Sequence, residues 1–193
     1  ATKDAASTTA SGEQKTAKMM HQLTRLDYAI GDRWKAVELP YAGDELAMRV
    51  IVPTGDVSPA ALLTSETLRS VEDSLQTGMV SFSMPRFDFE TDIRLTNSLR
   101  ELGMTAPFDP DSADFSGISA EERLYISQAV HKANITVDEW GTEAAAVTAV
   151  GMQVTSVPVA EATIRADRAF AFTIVHKPTG TPLFMGQVAD PTA

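Results

Sequence analysis

The chain has 193 residues, 44% of them hydrophobic and 22% charged, a balance that suits one globular core or part of a larger one and demands no second domain. Its 26 acidic residues outnumber 16 basic ones for a net charge of -10, which argues against nucleic acid or an anionic membrane as partner. There is no cysteine, so disulfide frameworks and thiolate metal sites are excluded, and no apolar run is long enough to span a bilayer as a helix.

The chain opens at Ala1 without an initiator methionine or a signal-like apolar segment, and it reads as a processed product or an excised portion of a longer chain. Residues 1–18 are polar and rich in Ala, Thr and Ser, with no apolar period, and are expected to form loop or a frayed strand edge. From Met19 the apolar spacing becomes that of successive strands, broken at Gly31-Asp32 and at Pro40. Glu45 to Val52 is a continuous apolar run ended by Pro53 and the turn residues Thr54-Gly55-Asp56, the pattern of a buried strand.

Between Ser58 and Gln76 the period lengthens. Leu68, Val71 and Leu75 stand at helical spacing behind Thr64 and Ser65 as candidate caps. Met79 to Phe89 returns to strand, but Val80, Phe82 and Met84 share one phase while Phe87 and Phe89 share the other, so a bulge or a change of sheet is expected near Pro85. Thr91 to Leu102 reads as a helix through Leu95, Leu99 and Leu102, with Gly103 as its C-terminal cap. Leu124 to Val137 alternates as a strand. Beyond Pro158, Phe170, Phe172 and Ile174 line one face of a strand, Lys177 to Gly180 turns the chain, and Leu183 to Val188 returns, an apolar hairpin expected to lie in the core.

Chemistry is scarce along this chain. The three histidines, His21, His131 and His176, have no nucleophile context, and there is no G-x-S-x-G elbow, no H-E-x-x-H, no phosphate-binding glycine loop and no paired-histidine metal spacing. The inventory therefore argues against an enzyme, and calls for no metal and no cofactor. Asp109, Asp111 and Asp114 resemble a calcium cluster, yet their spacing does not fit an EF-hand loop and an acidic surface turn is the better reading. His131, flanked by Ala129 and Ala133 on a strand, is expected to be a hydrogen-bonded core histidine. Asn134-Ile135-Thr136 matches a glycosylation sequon but falls inside that strand.

One stretch has the composition of a strand without the bulk to anchor it. From Asp138 to Pro158 the residues are mostly small or β-branched, and Thr142, Ala144, Ala146, Thr148, Val150 and Met152 share an uncharged face at a period of two. Alanine and glycine bury little apolar area, so a free exposed loop and a paired strand are both open readings.

A loop able to become a strand directs attention to its flanks. Val130-His131-Lys132-Ala133 leads into Val137-Asp138-Glu139-Trp140-Gly141-Thr142-Glu143-Ala144-Ala145-Ala146, and this run resembles the hinge of a serpin reactive loop. Pro182-Leu183-Phe184-Met185-Gly186-Gln187-Val188-Ala189-Asp190-Pro191 resembles that family's last strand. Met19-Met20, Glu38-Leu39-Pro40-Tyr41, Leu102-Gly103-Met104 and Asp114-Phe115-Ser116-Gly117 extend the similarity over nearly the whole chain. Two departures are Asn134, where the family pattern is usually apolar, and Trp140 beside the hinge.

The resemblance implies an α+β fold of mixed and antiparallel sheets with a few helices and a mobile reactive loop. It also implies that residues 1–193 are the C-terminal portion of a single serpin domain, with 138–162 as hinge and reactive loop and the family's N-terminal half missing. By the same resemblance, Gly141, Thr142, Glu143, Ala144, Ala145 and Ala146 form the hinge, and His131 belongs to the region where the central sheet opens. Counting along the loop from Gly141 puts the reactive bond at Thr155-Ser156, with Val154-Thr155 as the alternative. A β-branched residue before the cut implies an elastase-like serine protease as partner, since trypsin-like enzymes require a cationic side chain. The family implies an extracellular protein and an inhibitor acting as a suicide substrate. A non-inhibitory binding or structural serpin, or an inactive fragment, is the alternative.

Overall fold

The computed structural model describes residues 2–139 and 159–192. The elements in chain order are β1 (Lys3–Thr8), β2 (Gln14–Ile30), β3 (Trp34–Pro40), β4 (Leu46–Pro53), a 3-10 turn at Pro59–Leu62, α1 (Ser65–Asp73), β5 (Gln76–Pro85), β6 (Phe87–Arg94), α2 (Thr96–Glu101), a second 3-10 turn at Ala106–Phe108, β7 (Val130–Val137), β8 (Ala162–Arg165), β9 (Phe170–His176) and β10 (Thr181–Val188). The described residues form two compact units, one of residues 1–88 with 136–193 and one of residues 89–135.

In the first unit, the order β10-β9-β4-β3-β2-β5-β8 makes one continuous sheet. β2 holds it together because it is long enough to have several neighbours. One of its edges pairs with β5 from Met19 to Tyr28, and the other carries β1 at its start and β3 over Asp27–Ile30. All pairings in this sheet are antiparallel except β5 with β8, which is parallel from Val80↔Ala162 to Ser83↔Arg165.

Helix α1 starts where Thr64 caps it, the hydroxyl accepting from the Thr67 amide at 3.2 Å. It lays Val71 against Ala36, Ile51 and Ala171 of the sheet, in a cluster that also holds Ala29, Trp34 and Leu62. Gly31 lets the β2–β3 hairpin close, since a Cβ there would stand 2.3 Å from the Trp34 ring. On the same sheet face as Ile51 the apolar run conceals a charge. Arg49 is 6% exposed and donates to Glu38, 3% exposed, at 2.8 Å across the β3–β4 ladder. Lys177 approaches Glu38 at 3.3 Å and Asp44 at 2.6 Å, so the buried carboxylate has two cationic neighbours.

Several expectations change here. Most of the segment expected as loop is a hairpin: β1 pairs with β2 from Lys3↔Met19 to Thr8↔Gln14, and Thr8 bonds on to Asp167 and Ala169 through its backbone. The ladder is made by backbone groups, so it leaves no apolar period to read. Near Pro85 the chain changes sheet, β5 ending in the large sheet and β6 pairing with β7 in a two-stranded one. The helix expected from Thr91 begins at Thr96, because Thr91 to Arg94 continue the strand β6. Gly103 does cap the turn beyond it, at φ 97°.

The strand expected from Leu124 begins only at Val130. The backbone before it is committed elsewhere, with Ile126 N–H donating to Pro107 and Ala129 carbonyl accepting from Leu95. The β9–β10 hairpin forms, with β9 in the core and β10 reaching it only at its end, through Val188. Leu183, Phe184 and Met185 are 50%, 55% and 53% exposed, because β10 is the outer strand of the sheet and no described layer covers it. A short strand, β8, was not anticipated at all.

Candidate functional site

The stretch from Trp140 to Pro158 lies outside the described residues, and with it the hinge Gly141 to Ala146 and both candidate reactive bonds, Thr155-Ser156 and Val154-Thr155. What the structure defines is how the chain is held on either side.

The incoming side is β7. Its alternation sends Lys132, Asn134 and Thr136 to one face, in phase with the acidic side chains of β6. Lys132 pairs with Asp92 at 3.1 Å, and the Thr136 hydroxyl donates to Asp88 at 3.0 Å. Among the described residues β7 pairs with β6 on one edge and with no strand on the other.

At the end of β7, Val137 is buried, and Glu139 then takes an ion pair from Arg86 and a hydrogen bond from the Thr2 hydroxyl. These two donors, the Arg86 guanidinium first, hold the Glu139 carboxyl well below the usual range, at about 2. Arg86 sits between β5 and β6, and its own amide donates to Lys18 at 2.9 Å, so the grip on Glu139 is built from the point where the chain changes sheet.

The outgoing side is β8. Glu161 meets the start of β5 twice: its amide donates to the Met79 carbonyl at 2.7 Å, and its carboxylate accepts from the Met79 amide at 2.9 Å. From there Ala162 and Ile164 turn into the core while Thr163 and Arg165 face out. Thus the two ends of the segment 140–160 are fastened along one strand, Glu139 just beyond the end of β5 and Glu161 near its beginning.

His131 corrects an expectation: it is exposed on β7 rather than buried. Its place on β7, a strand paired only with β6 among the described residues, leaves the imidazole outside the core. Asn134 is likewise exposed on β7. Asp109 and Asp114 spend their carboxylates on turn amides, accepting from Asp111 at 3.1 Å and Ser116 at 3.0 Å, the arrangement of an acidic surface turn. Among the described residues there is no group of three or more His, Cys, Asp or Glu that could hold a metal ion, and no helix is long and apolar enough to cross a membrane. Arg86, Thr2 and Glu161 carry no motif of their own.

Comparison with known proteins agrees with this architecture. The model of the family described as "Serpin (serine protease inhibitor)" matches residues 1–191, and the chain belongs to that family. It is 36% identical over 189 residues to plasminogen activator inhibitor 1 of Neovison vison, covering 93% of this chain and 46% of that protein. It is 36% identical over 190 residues to the human leukocyte elastase inhibitor, covering 93% of this chain and 50% of the relative. The native-state structure of the thermophilic serpin tengpin superposes with a TM-score of 0.83 at 31% identity, over 98% of this chain and 50% of that one. The chain therefore spans about half the length of the relatives it matches.

Proposed function

We propose that the protein containing this chain is a serine protease inhibitor that acts as a suicide substrate. It is bound by an elastase-like enzyme at Thr155-Ser156, or at Val154-Thr155. The protease forms an acyl-enzyme with the residue before the cut, and the freed N-terminal part of the loop adds to the sheet as a new strand, carrying the protease with it. Gly141, Thr142, Glu143, Ala144, Ala145 and Ala146 are the hinge, small or uncharged at every inward position, and His131 marks the region where the sheet opens. The protein works outside the cell, as target and not as catalyst of the cut.

The observation that supports this most is the tethering of segment 140–160 at both ends, with β7 leading into it and offering an unpaired edge among the described residues. Insertion of about ten residues would add about ten ladder hydrogen bonds at ~1 kcal/mol net each, on the order of 10 kcal/mol. Such a gain has to be kinetically withheld in the uncut protein. The test is to incubate the complete protein with an elastase and run the mixture in SDS. A covalent complex of the summed mass, with fragmentation mapping the acyl bond to residues 154–156, is expected. Cleavage without a complex would leave a non-inhibitory serpin instead.

A further inference from the structure

Two of the 193 residues are asparagine, and one of them stands in Asn134-Ile135-Thr136. The other, Asn97, is followed by Ser98 and Leu99 and forms no sequon. A sequon within a strand is no obstacle to modification, because the sugar is transferred to an extended chain before the ladder closes. What the folded protein has to supply is room for the product, a bulky hydrated group confined to the surface. β7 supplies that room on one face. Asn134 is exposed between Lys132 and Thr136, both exposed as well, whereas Ala133 and Ile135 are half-buried and Val137 is buried in the opposite phase. β6 divides in the same way, with Asp88, Glu90 and Asp92 exposed and Phe87, Phe89 and Thr91 buried or half-buried. The polar row is tied together at the level of its side chains: Lys132 meets Asp92 at 3.1 Å and Glu90 at 3.9 Å while retaining 63% of its side-chain exposure, and the Thr136 hydroxyl donates to Asp88 at 3.0 Å. From Lys132 to Thr136 this phase holds no apolar side chain, so a sugar over it displaces no core contact.

Resting on the extracellular reading above, which takes the chain through a secretory route, we infer that Asn134 is the acceptor of an N-linked glycan. The donor is an oligosaccharide carried on a lipid pyrophosphate. The Asn134 side-chain nitrogen forms a bond to the anomeric carbon of the first sugar as the bond from that carbon to the pyrophosphate oxygen breaks. The amide gives up one proton to a base of the transferase, and the lipid pyrophosphate leaves with the bonding pair. A glycan at this place also fixes how β7 sits in the complete protein. The face that carries Lys132, Asn134 and Thr136 looks to solvent with no layer over it, since burying a hydrated sugar without replacing its hydrogen bonds is costly.

The experiment takes the complete protein from the medium and from the interior of the cells that produce it naturally, digests it with trypsin and a glutamate-specific protease, and measures the peptide 133–139 by mass and fragmentation. A sugar-bearing peptide is expected in most secreted molecules, with fragments that place the sugar on Asn134, while the peptide holding Asn97 keeps its bare mass. N134Q and T136V, made in the same cells, should both lose the sugar, and T136S should keep it in part, because acceptance needs a hydroxyl two residues after the asparagine. Enzymatic release of the sugar from the native protein, without denaturant, reads whether the face is open; release only after unfolding would overturn that assignment of the face. Secreted protein with a bare Asn134 would overturn the inference and leave the extracellular reading standing. Protein confined to the cells with a bare Asn134 would overturn both. A sugar that persists in T136V would show a different kind of attachment and would also overturn the inference.

Discussion

Arg86 and Glu139 form an ion pair that joins the residue at which the chain leaves the large sheet to a residue just beyond the end of β7. The pair keeps the Glu139 carboxyl at about 2 in the folded protein, against 4.5 for an unperturbed glutamate. A carboxyl whose folded value is depressed contributes stability that is complete above the unfolded value and disappears as pH falls through the folded one. Thermal unfolding measured from pH 7 to pH 2 should therefore show a loss beginning near 4.5 that is smaller in E139Q. Asp190, held at about 2 by Lys15, titrates in the same window in both proteins, so the difference between them isolates Glu139. Parallel pH curves for the two proteins would remove the anchoring role.

Breaking the buried pair from one side should be far worse than removing it whole. Arg49→Ala leaves the Glu38 carboxylate buried with only Lys177 near it, and about 3–5 kcal/mol of stability should be lost. The double substitution E38L/R49M should recover much of that loss, since an apolar replacement of similar volume is often neutral. Denaturant titration of the three proteins checks this.

Gly31→Ala should strain the β2–β3 hairpin, because the new methyl collides with the Trp34 ring and the ring is packed among Ala36, Ile51 and Val71. Overpacking of this kind costs about 1–3 kcal/mol. A shifted tryptophan emission together with a lowered unfolding midpoint is the expected signature.

Thr142→Arg should turn the proposed inhibitor into a substrate. The loop would still be cut, but an unpaired guanidinium entering the sheet costs several kcal/mol and insertion would lose its race with deacylation. A gel showing cleaved protein and active protease, in place of the covalent complex, is the expected result.

Most of the strands were legible because their alternation or apolar continuity is a local property. The phase slip between Met84 and Phe87 even disclosed the change of sheet. What stayed hidden depends on distant partners. The β1–β2 hairpin pairs residues that are mostly polar or small, so no apolar periodicity marks its start. Arg49 sits in an otherwise apolar run because Glu38 and Glu72 lie near it, and neither neighbour is visible from the run itself. β10 has the sequence of a core strand, yet Phe184 is more than half exposed, since burial is decided by what covers a strand and not by its composition. In the candidate site, the family resemblance located the loop, whereas its fastening by Arg86, Thr2 and Glu161 required coordinates.

The position of β9 has a consequence for any protease that cuts between Glu139 and Glu161. Scission there divides the molecule into two polypeptides, and the smaller one carries β8, β9 and β10. With no disulfide present, it remains only through non-covalent contacts: β9 zipped to β4 from Leu46↔His176 to Ile51↔Ala171, Phe170 fully buried, and β8 laid along β5. The cut protein is thus an obligate two-subunit assembly whose interface is a domain core divided along the chain. Its pieces should travel together in native solution and part only in denaturant.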